Sequence, residues 1–228
     1  MSNALKKYAI IVAGGKGVRM ASSIPKQFMP LMGIPVLCHS ILAFSYAFPD
    51  IRIILVTPAD QVNGVHTILK SYIGDRQVTI VPGGQTRFHS VQNGLKAIKN
   101  DGVVFVHDGV RPLVSAELIY RCYEHALDHG SAIPAIPIAD SMRLVDENGD
   151  SHPVNRDNMR IIQTPQTFMT DVILPAFDRQ YDPAFTDEAT VVEASGRKVQ
   201  LVMGERDNIK ITTPGDMIIA ETLLKTSA

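Results

Sequence analysis

Two cations, Arg19 and Lys26, stand close behind a glycine-rich run, Ala13-Gly14-Gly15-Lys16-Gly17-Val18-Arg19-Met20. That run leaves a short apolar, β-branched stretch, Ala9-Ile10-Ile11-Val12, and is followed by Pro25-Lys26-Gln27. A buried strand opening into a glycine-rich bend lets several backbone N–H groups approach a polyphosphate, because a Cβ there would hold the anion off. Backbone donors keep phosphates in register, while side-chain cations follow charge as it moves between phosphate oxygens. The pattern predicts a site for chemistry on a nucleotide phosphate. Two other phosphate loops are excluded: the dinucleotide fingerprint needs glycine where Met20 stands, and the P-loop needs a Gly-Lys-Ser/Thr that is absent.

Two more polar clusters follow short apolar runs. Val78 to Val81 ends in Pro82-Gly83-Gly84-Gln85-Thr86-Arg87, and Val103 to Val106 delivers His107-Asp108-Gly109-Val110-Arg111-Pro112. Strand and helix patterns alternate throughout, which predicts a mainly parallel, Rossmann-like α/β sheet covered by helices on both faces. Ligands of such sheets collect beyond the C-terminal ends of the strands, so the three clusters are expected to converge there.

Further strands are expected at Ile51 to Val56, Ala132 to Ile138 and Lys198 to Met203. Helices are marked by Leu37, Ile41 and Phe44, by Val62, Val65, Leu69 and Tyr72 after a Thr57 cap with Pro58 at the first helical position, and by Phe88, Val91, Leu95 and Ile98. Others are expected from Ser115 to about Asp128, near Asp171 to Tyr181, after Thr186-Asp187-Glu188-Ala189, and from Thr213-Pro214 with Asp216 completing the cap.

The alternation breaks between Asp140 and Gln166. Residues 139–166 read as a protruding β-hairpin, an arm whose partner surface is expected on a second copy of the chain. The 228 residues otherwise suit one domain. A net charge of −1 gives no general surface for nucleic acid or membrane, so phosphate affinity must be local. Cys38 and Cys122 fall in helix patterns without metal-ligand spacing and are expected as reduced packing residues. With neither a signal-like N-terminus nor a run of membrane length, a cytoplasmic protein is expected.

Taken together, the first loop, Pro25-Lys26-Gln27, Gly83-Gly84, Arg87, Ser90, His107 to Pro112, Gln163-Thr164-Pro165-Gln166, Thr186-Asp187-Glu188-Ala189 and Asp207-Asn208-Ile209-Lys210 resemble the 2-C-methyl-D-erythritol 4-phosphate cytidylyltransferases of non-mevalonate isoprenoid synthesis. The resemblance covers nearly the whole chain. It implies that Arg19 and Lys26 stabilise charge at the α-phosphorus of CTP. It places Ala13, Gly14, Gly15, Gly17, Gly83, Gly84, Gln85, Arg87, Ser90, Asp108 and Gly109 around the nucleotide. Arg156 and Lys210 would position the polyol phosphate; Arg111, Ser141, Thr164 and Thr186 would bind its phosphate and hydroxyls. Magnesium would accompany the CTP near Asp108, and the arm would cross a homodimer so that Ser141 and Arg156 serve the neighbouring site. The family usually carries alanine where Gly109 and Val110 stand, and often threonine at Ser141.

Three alternatives stay open on the sequence. Ribitol-5-phosphate cytidylyltransferases share the first loop and the arm, although Thr186 to Ala189 and Arg206 to Lys210 fit the methylerythritol family better. Enzymes consuming nucleotide sugars typically hold a metal with Asp-x-Asp, which is absent. A non-catalytic nucleotide-binding module would be expected to have lost its reacting cations, yet Arg19, Lys26, Arg156 and Lys210 are all present.

Overall fold

A computed structural model of the chain describes residues 5–15, 24–74 and 76–226. Strand β1 (Lys6–Val12) lies at the centre of the main sheet. It is followed by a two-residue pair, β2 (Pro30–Leu31) and β3 (Ile34–Pro35), and by helix α1 (Val36–Ala47). Then come β4 (Arg52–Thr57), α2 (Val62–Ile73), β5 (Val78–Pro82), α3 (Arg87–Leu95), β6 (Gly102–Asp108), α4 (Ala116–His129) and β7 (Ser131–Pro137). The hairpin β8 (Met142–Val145) and β9 (Ser151–Val154) precedes β10 (Arg160–Ile162), β11 (Gln166–Met169), α5 (Thr170–Ala176), α6 (Glu188–Ala194), β12 (Leu201–Met203) and α7 (Pro214–Thr226).

The main sheet runs β10-β7-β11-β6-β1-β4-β5, with β12 added beside β7. β5, β4, β1 and β6 are mutually parallel, whereas β11 runs antiparallel between β6 and β7. Successive residues of the central strands face opposite sides, and both sides are apolar. Ala9, Ile11, Ile53, Leu55, Val103 and Phe105 join the core under α1, α2 and α4. Tyr8, Ile10, Ile54, Val56, Val104 and Val106 join the opposite core under α3, α5 and α6. This is why the strands read as unbroken apolar runs rather than alternating ones.

Four helix expectations are corrected. Thr57 does not cap α2: it pairs with Pro82 as the last residue of β4, is fully buried, and a 3-10 turn (Ala59–Gln61) separates it from α2. Val65 and Leu69 face the core as expected, but Ile73 rather than Tyr72 continues the buried stripe, and Tyr72 is exposed. Helix α5 stops at Ala176, one residue past Pro175, rather than near Tyr181. Ile98 lies past the end of α3 but still packs on the core.

Within residues 139–166, pairing in the hairpin is limited to Met142–Val154, and β10 returns to the main sheet against β7. Leu144 and Val145 of the hairpin are 65% and 61% exposed. Cys38 and Cys122 are free and buried, and burial pushes their thiols up to about 11 and about 12. Among the described residues no helix is long and apolar enough to cross a membrane.

Candidate active site

Four parallel strands end at one rim. β1 runs into Ala13-Gly14-Gly15, β4 into Pro58 to Gln61, β5 into Gly83 to Arg87, and β6 into Asp108 to Val110; all of these segments line one cleft of about 610 Å³. The rim is where the chain order reverses, since β1 is flanked by β4 on one side and β6 on the other. Backbone bonds hold the strand ends together: Ala13 N–H donates to Val56 at 2.8 Å, Gly109 N–H to Val12 at 2.9 Å, and Gly83 N–H to Thr57 at 2.8 Å.

Glycine serves two purposes at this rim. A Cβ on Gly84 would fall 2.4 Å from the His89 Cβ, and one on Gly83 would fall 3.2 Å from the Ser90 hydroxyl, so close packing of the turn on α3 requires both. Ser90 Oγ accepts from Gly84 N–H at 3.1 Å and donates to the Thr86 carbonyl at 2.9 Å, which locks the turn. Among the described residues, a Cβ at Gly14 would meet no atom within 4 Å, and one at Gly15 would meet Lys26 Cε at 3.9 Å. Neither has a positive φ. Their bare backbone is therefore available to something outside the protein's own packing, as a phosphate cradle requires.

Lys26 opens a 3-10 turn (Lys26–Phe28) and is only 8% exposed, yet it lines the cleft. Its ammonium donates to the Ile211 carbonyl at 2.9 Å, so the turn and the distant 205–211 segment meet. Beside it, buried Gln27 donates to the Ala13 carbonyl at 3.1 Å and fixes the start of the first loop. Ile211 N–H in turn donates to Val110 at 2.9 Å.

Asp108, at the end of β6, is the electrostatic centre. One carboxylate oxygen accepts from Arg87 at 3.3 Å; the other takes Arg111 at 3.3 Å and Lys210 at 3.0 Å. Burial works against its charge, but Arg87, Lys210 and Arg111 together prevail and hold the carboxyl well below the usual range. Arg87 also pairs with buried Glu188, and these two carboxylates outweigh burial and keep its guanidinium more firmly protonated than usual. Burial pushes Glu188 above the ordinary carboxylate range despite that partner.

Behind Asp108 lies a neutral brace. Asp108 N–H donates to the Thr164 hydroxyl at 3.0 Å, and that hydroxyl lies 3.1 Å from Nδ1 of His107. His107 Nε2 lies 3.1 Å from the Arg111 carbonyl. The chain closes if Thr164 donates to Nδ1 and Nε2–H donates to the carbonyl, and burial favours that neutral ring by lowering its pKa to about 4.

The family profile of 2-C-methyl-D-erythritol 4-phosphate cytidylyltransferase matches residues 8–226. A relative of that name from Phocaeicola vulgatus is 48% identical over 221 residues, covering 96% of this chain and all of the relative; one from Bacteroides fragilis is 46% identical over 216 residues, covering 95% and 98%. The chain belongs to this family. Among solved structures, the 4-diphosphocytidyl-2C-methyl-D-erythritol synthase of Anaerococcus prevotii superposes with a TM-score of 0.82 at 32% identity, covering 97% of this chain and 96% of that one. A 2-C-methyl-D-erythritol 4-phosphate cytidylyltransferase from Francisella tularensis gives 0.78 at 32% identity, covering 95% and 99%.

Of the residues the sequence singles out, Ala13, Gly14, Gly15, Lys26, Gly83, Gly84, Gln85, Arg87, Ser90, Asp108 and Lys210 all line the cleft. Gly109 sits at the foot of the rim, where a Cβ would lie 3.0 Å from Leu37 Cδ1. Arg111 and Thr164 are buried behind Asp108: the Arg111 guanidinium also donates to the Asn208 carbonyl at 2.8 Å. Thr186 is exposed at the approach to α6. Ser141 and Arg156 are exposed at the base of the hairpin, with Arg156 donating to the Ala139 carbonyl. Arg19 and Gly17 lie outside the described residues. Asp108, expected near a magnesium ion, has both oxygens taken by three cations, which is not the donor set of a resident metal; among the described residues no group of three ligand side chains gathers anywhere. Gln27 and Asn208 lie within the Pro25-Lys26-Gln27 and Asp207 to Lys210 stretches, where residue type alone indicates no role. Both are fully buried polar side chains, Gln27 in the 3-10 turn and Asn208 in the irregular 205–211 segment, and each holds a backbone carbonyl.

Proposed function

We propose that this chain joins CTP and 2-C-methyl-D-erythritol 4-phosphate, releasing pyrophosphate, through in-line attack of the substrate phosphate on the α-phosphorus. The observation that supports the reading is the shared cleft: the glycine backbone at 14–15, Lys26 and Lys210 all line it. Two anions must approach each other, so positioning and charge stabilisation are the protein's task, and no covalent intermediate is needed. Lys26, with Arg19, steadies charge building on the α-phosphate. Gly14, Gly15, Gly83 and Gly84 hold and align the nucleotide. Lys210, fixed by Asp108, and Arg156 receive the polyol phosphate, with Ser141 and Thr186 around it, while buried Arg111 and Thr164 brace Asp108 from behind. A divalent cation arriving with the triphosphate would offset its negative charge, while Asp108 stays engaged with Arg87, Arg111 and Lys210.

Arg156 and Ser141 complete the site from a second copy in this reading. The support is physical: among the described residues β8 and β9 form a two-stranded sheet of their own, and Leu144 and Val145 on it are exposed. The chain then works as one nucleotidyltransferase domain with its 139–166 arm across a homodimer. Buried, unpaired cysteines suit a cytoplasmic setting. The decisive experiment measures pyrophosphate release from CTP with either polyol phosphate. Turnover with the methylerythritol phosphate well above that with ribitol 5-phosphate is expected; the reverse preference, or no turnover with either, overturns the reading.

A further inference from the structure

Glu188 is an unusual residue to bury. It is the first residue of α6, it is 1% exposed, and one of its carboxylate oxygens has no partner. The helix does not need it: Asp187 accepts from Thr190 N–H at 2.9 Å in a full capping box, and Ala189 N–H is satisfied by Gln166 at 2.8 Å. Stability is a poor reason as well, since a buried ion pair gains little over an apolar pair of the same shape. Its one ionic partner, Arg87, is equally out of place, because a cation in the first turn of α3 faces the positive end of the helix dipole. Each is anomalous alone; together they form a chain that ends in the cleft.

The chain runs from Glu188 to Arg87, from Arg87 to Asp108 and from Asp108 to Lys210. Its first member sits on α6 and its second on α3, while Asp108 ends β6 and Lys210 lies in an irregular segment. Arg87 occupies one Asp108 oxygen, which leaves the other for Lys210 and Arg111. Glu188 also balances the Arg87 charge. Without it, an arginine with only one carboxylate would compete for both Asp108 oxygens, or for the nucleotide's phosphates, and Lys210 would lose its fixed anchor.

We propose that Glu188 is a positioning residue for the transfer reaction: by holding Arg87 on one oxygen of Asp108 it fixes where Lys210 presents its ammonium to the incoming phosphate. This rests on the reaction proposed above. If wild-type protein makes no pyrophosphate from CTP and the polyol phosphate, that reading fails, and the role of Glu188 in it falls with it.

The test is steady-state turnover of the full chain with CTP and 2-C-methyl-D-erythritol 4-phosphate. Glu188→Gln should lower kcat about tenfold while the KM for CTP stays within about twofold. In a Lys210→Gln background the same change should alter kcat by less than about twofold, because its effect passes through Lys210, which it does not touch. A purely structural role would instead lower the melting temperature and reduce both backgrounds alike. Unchanged kcat in Glu188→Gln, or an equal loss in both backgrounds, overturns the proposal. Should Glu188→Gln fail to fold, Arg87→Lys serves in its place: a point charge cannot span two carboxylates as a guanidinium does, so the same tenfold loss and the same dependence on Lys210 are expected.

Discussion

The cleft rim and the β8–β9 hairpin carry the two halves of one expected site, yet they are built on opposite principles. At the rim, Lys26, Arg87, Asp108 and Arg111 are buried or half-buried; Lys26 is tied to the Ile211 carbonyl, and Arg87 and Arg111 are both paired with Asp108. On the hairpin, Ser141 is exposed, and exposed Arg156 is held by a backbone carbonyl of its own excursion. A nucleotide presents the same phosphates and ribose whatever it is joined to, so a rigid receptor suits it. In the proposed reading, the group that defines the second substrate is met by Ser141 and Arg156, exposed residues at the base of the hairpin. The difference teaches that chemistry and substrate choice are separable here, and mutations should separate them.

The largest effect is expected at the rim. Lys26→Ala should lower kcat by about 10² to 10³-fold, as for loss of other pre-organised charge stabilisers, with the fold retained by circular dichroism. Wild-type-like turnover would remove Lys26 from the chemistry and dissolve the contrast. Asp108→Asn should act on stability as well, because it strips the charge that three cations share; a loss of about 3 kcal/mol in urea unfolding is expected. A change below about 1 kcal/mol would mean that the cluster is solvated rather than structural.

On the hairpin the expected changes are smaller and of another kind. Arg156→Ala should raise the KM for the polyol phosphate about tenfold, leave the KM for CTP unchanged, and alter stability by less than about 0.5 kcal/mol. Weakened CTP binding would put Arg156 in the wrong half. Leu144→Asp combined with Val145→Asp should shift sedimentation toward a single copy without moving the unfolding midpoint; an unshifted profile would leave the hairpin without a partner.

The smallest effect at neutral pH concerns His107. Its folded pKa of about 4 lies below the ordinary 6.5, so the unfolded chain takes up a proton that the folded chain resists. The resulting stability is complete above pH 6.5 and drains away as pH falls toward 4, with a limiting slope of about 1.4 kcal/mol per pH unit. His107→Gln should flatten that window in pH-dependent melting. An unchanged slope would place the acid sensitivity in other groups.

The rim was legible in the sequence because its signals are local. Apolar runs ending in glycine and polar residues predict strand ends, and open parallel sheets bring such ends together. Thr57 misled because a threonine before proline matches a helix cap, whereas pairing with Pro82 extends β4 through it; pairing with a distant strand outweighs a local signal. The sequence also could not foretell that Asp108 collects Arg87, Arg111 and Lys210, since they come from a helix, a turn and an irregular segment up to 102 residues away along the chain. The family resemblance put magnesium near Asp108; the company it keeps identifies an anchor for cations.

The 205–211 segment belongs to no strand, yet it carries Lys210 and meets Lys26. Side chains hold it down: Gln163 donates to the Glu205 carbonyl at 2.7 Å and accepts from Glu205 N–H at 3.0 Å, and Asn208 donates to the Thr164 carbonyl at 2.8 Å. Bonds of this sort open one by one rather than with the whole ladder. Amide hydrogen exchange should therefore find the Ile211 N–H far less protected than its neighbours in β6, with an opening free energy well short of global unfolding. The stretch that presents a reacting cation would then be a separately breathing unit, able to yield to a bulky product without disturbing the sheet beneath.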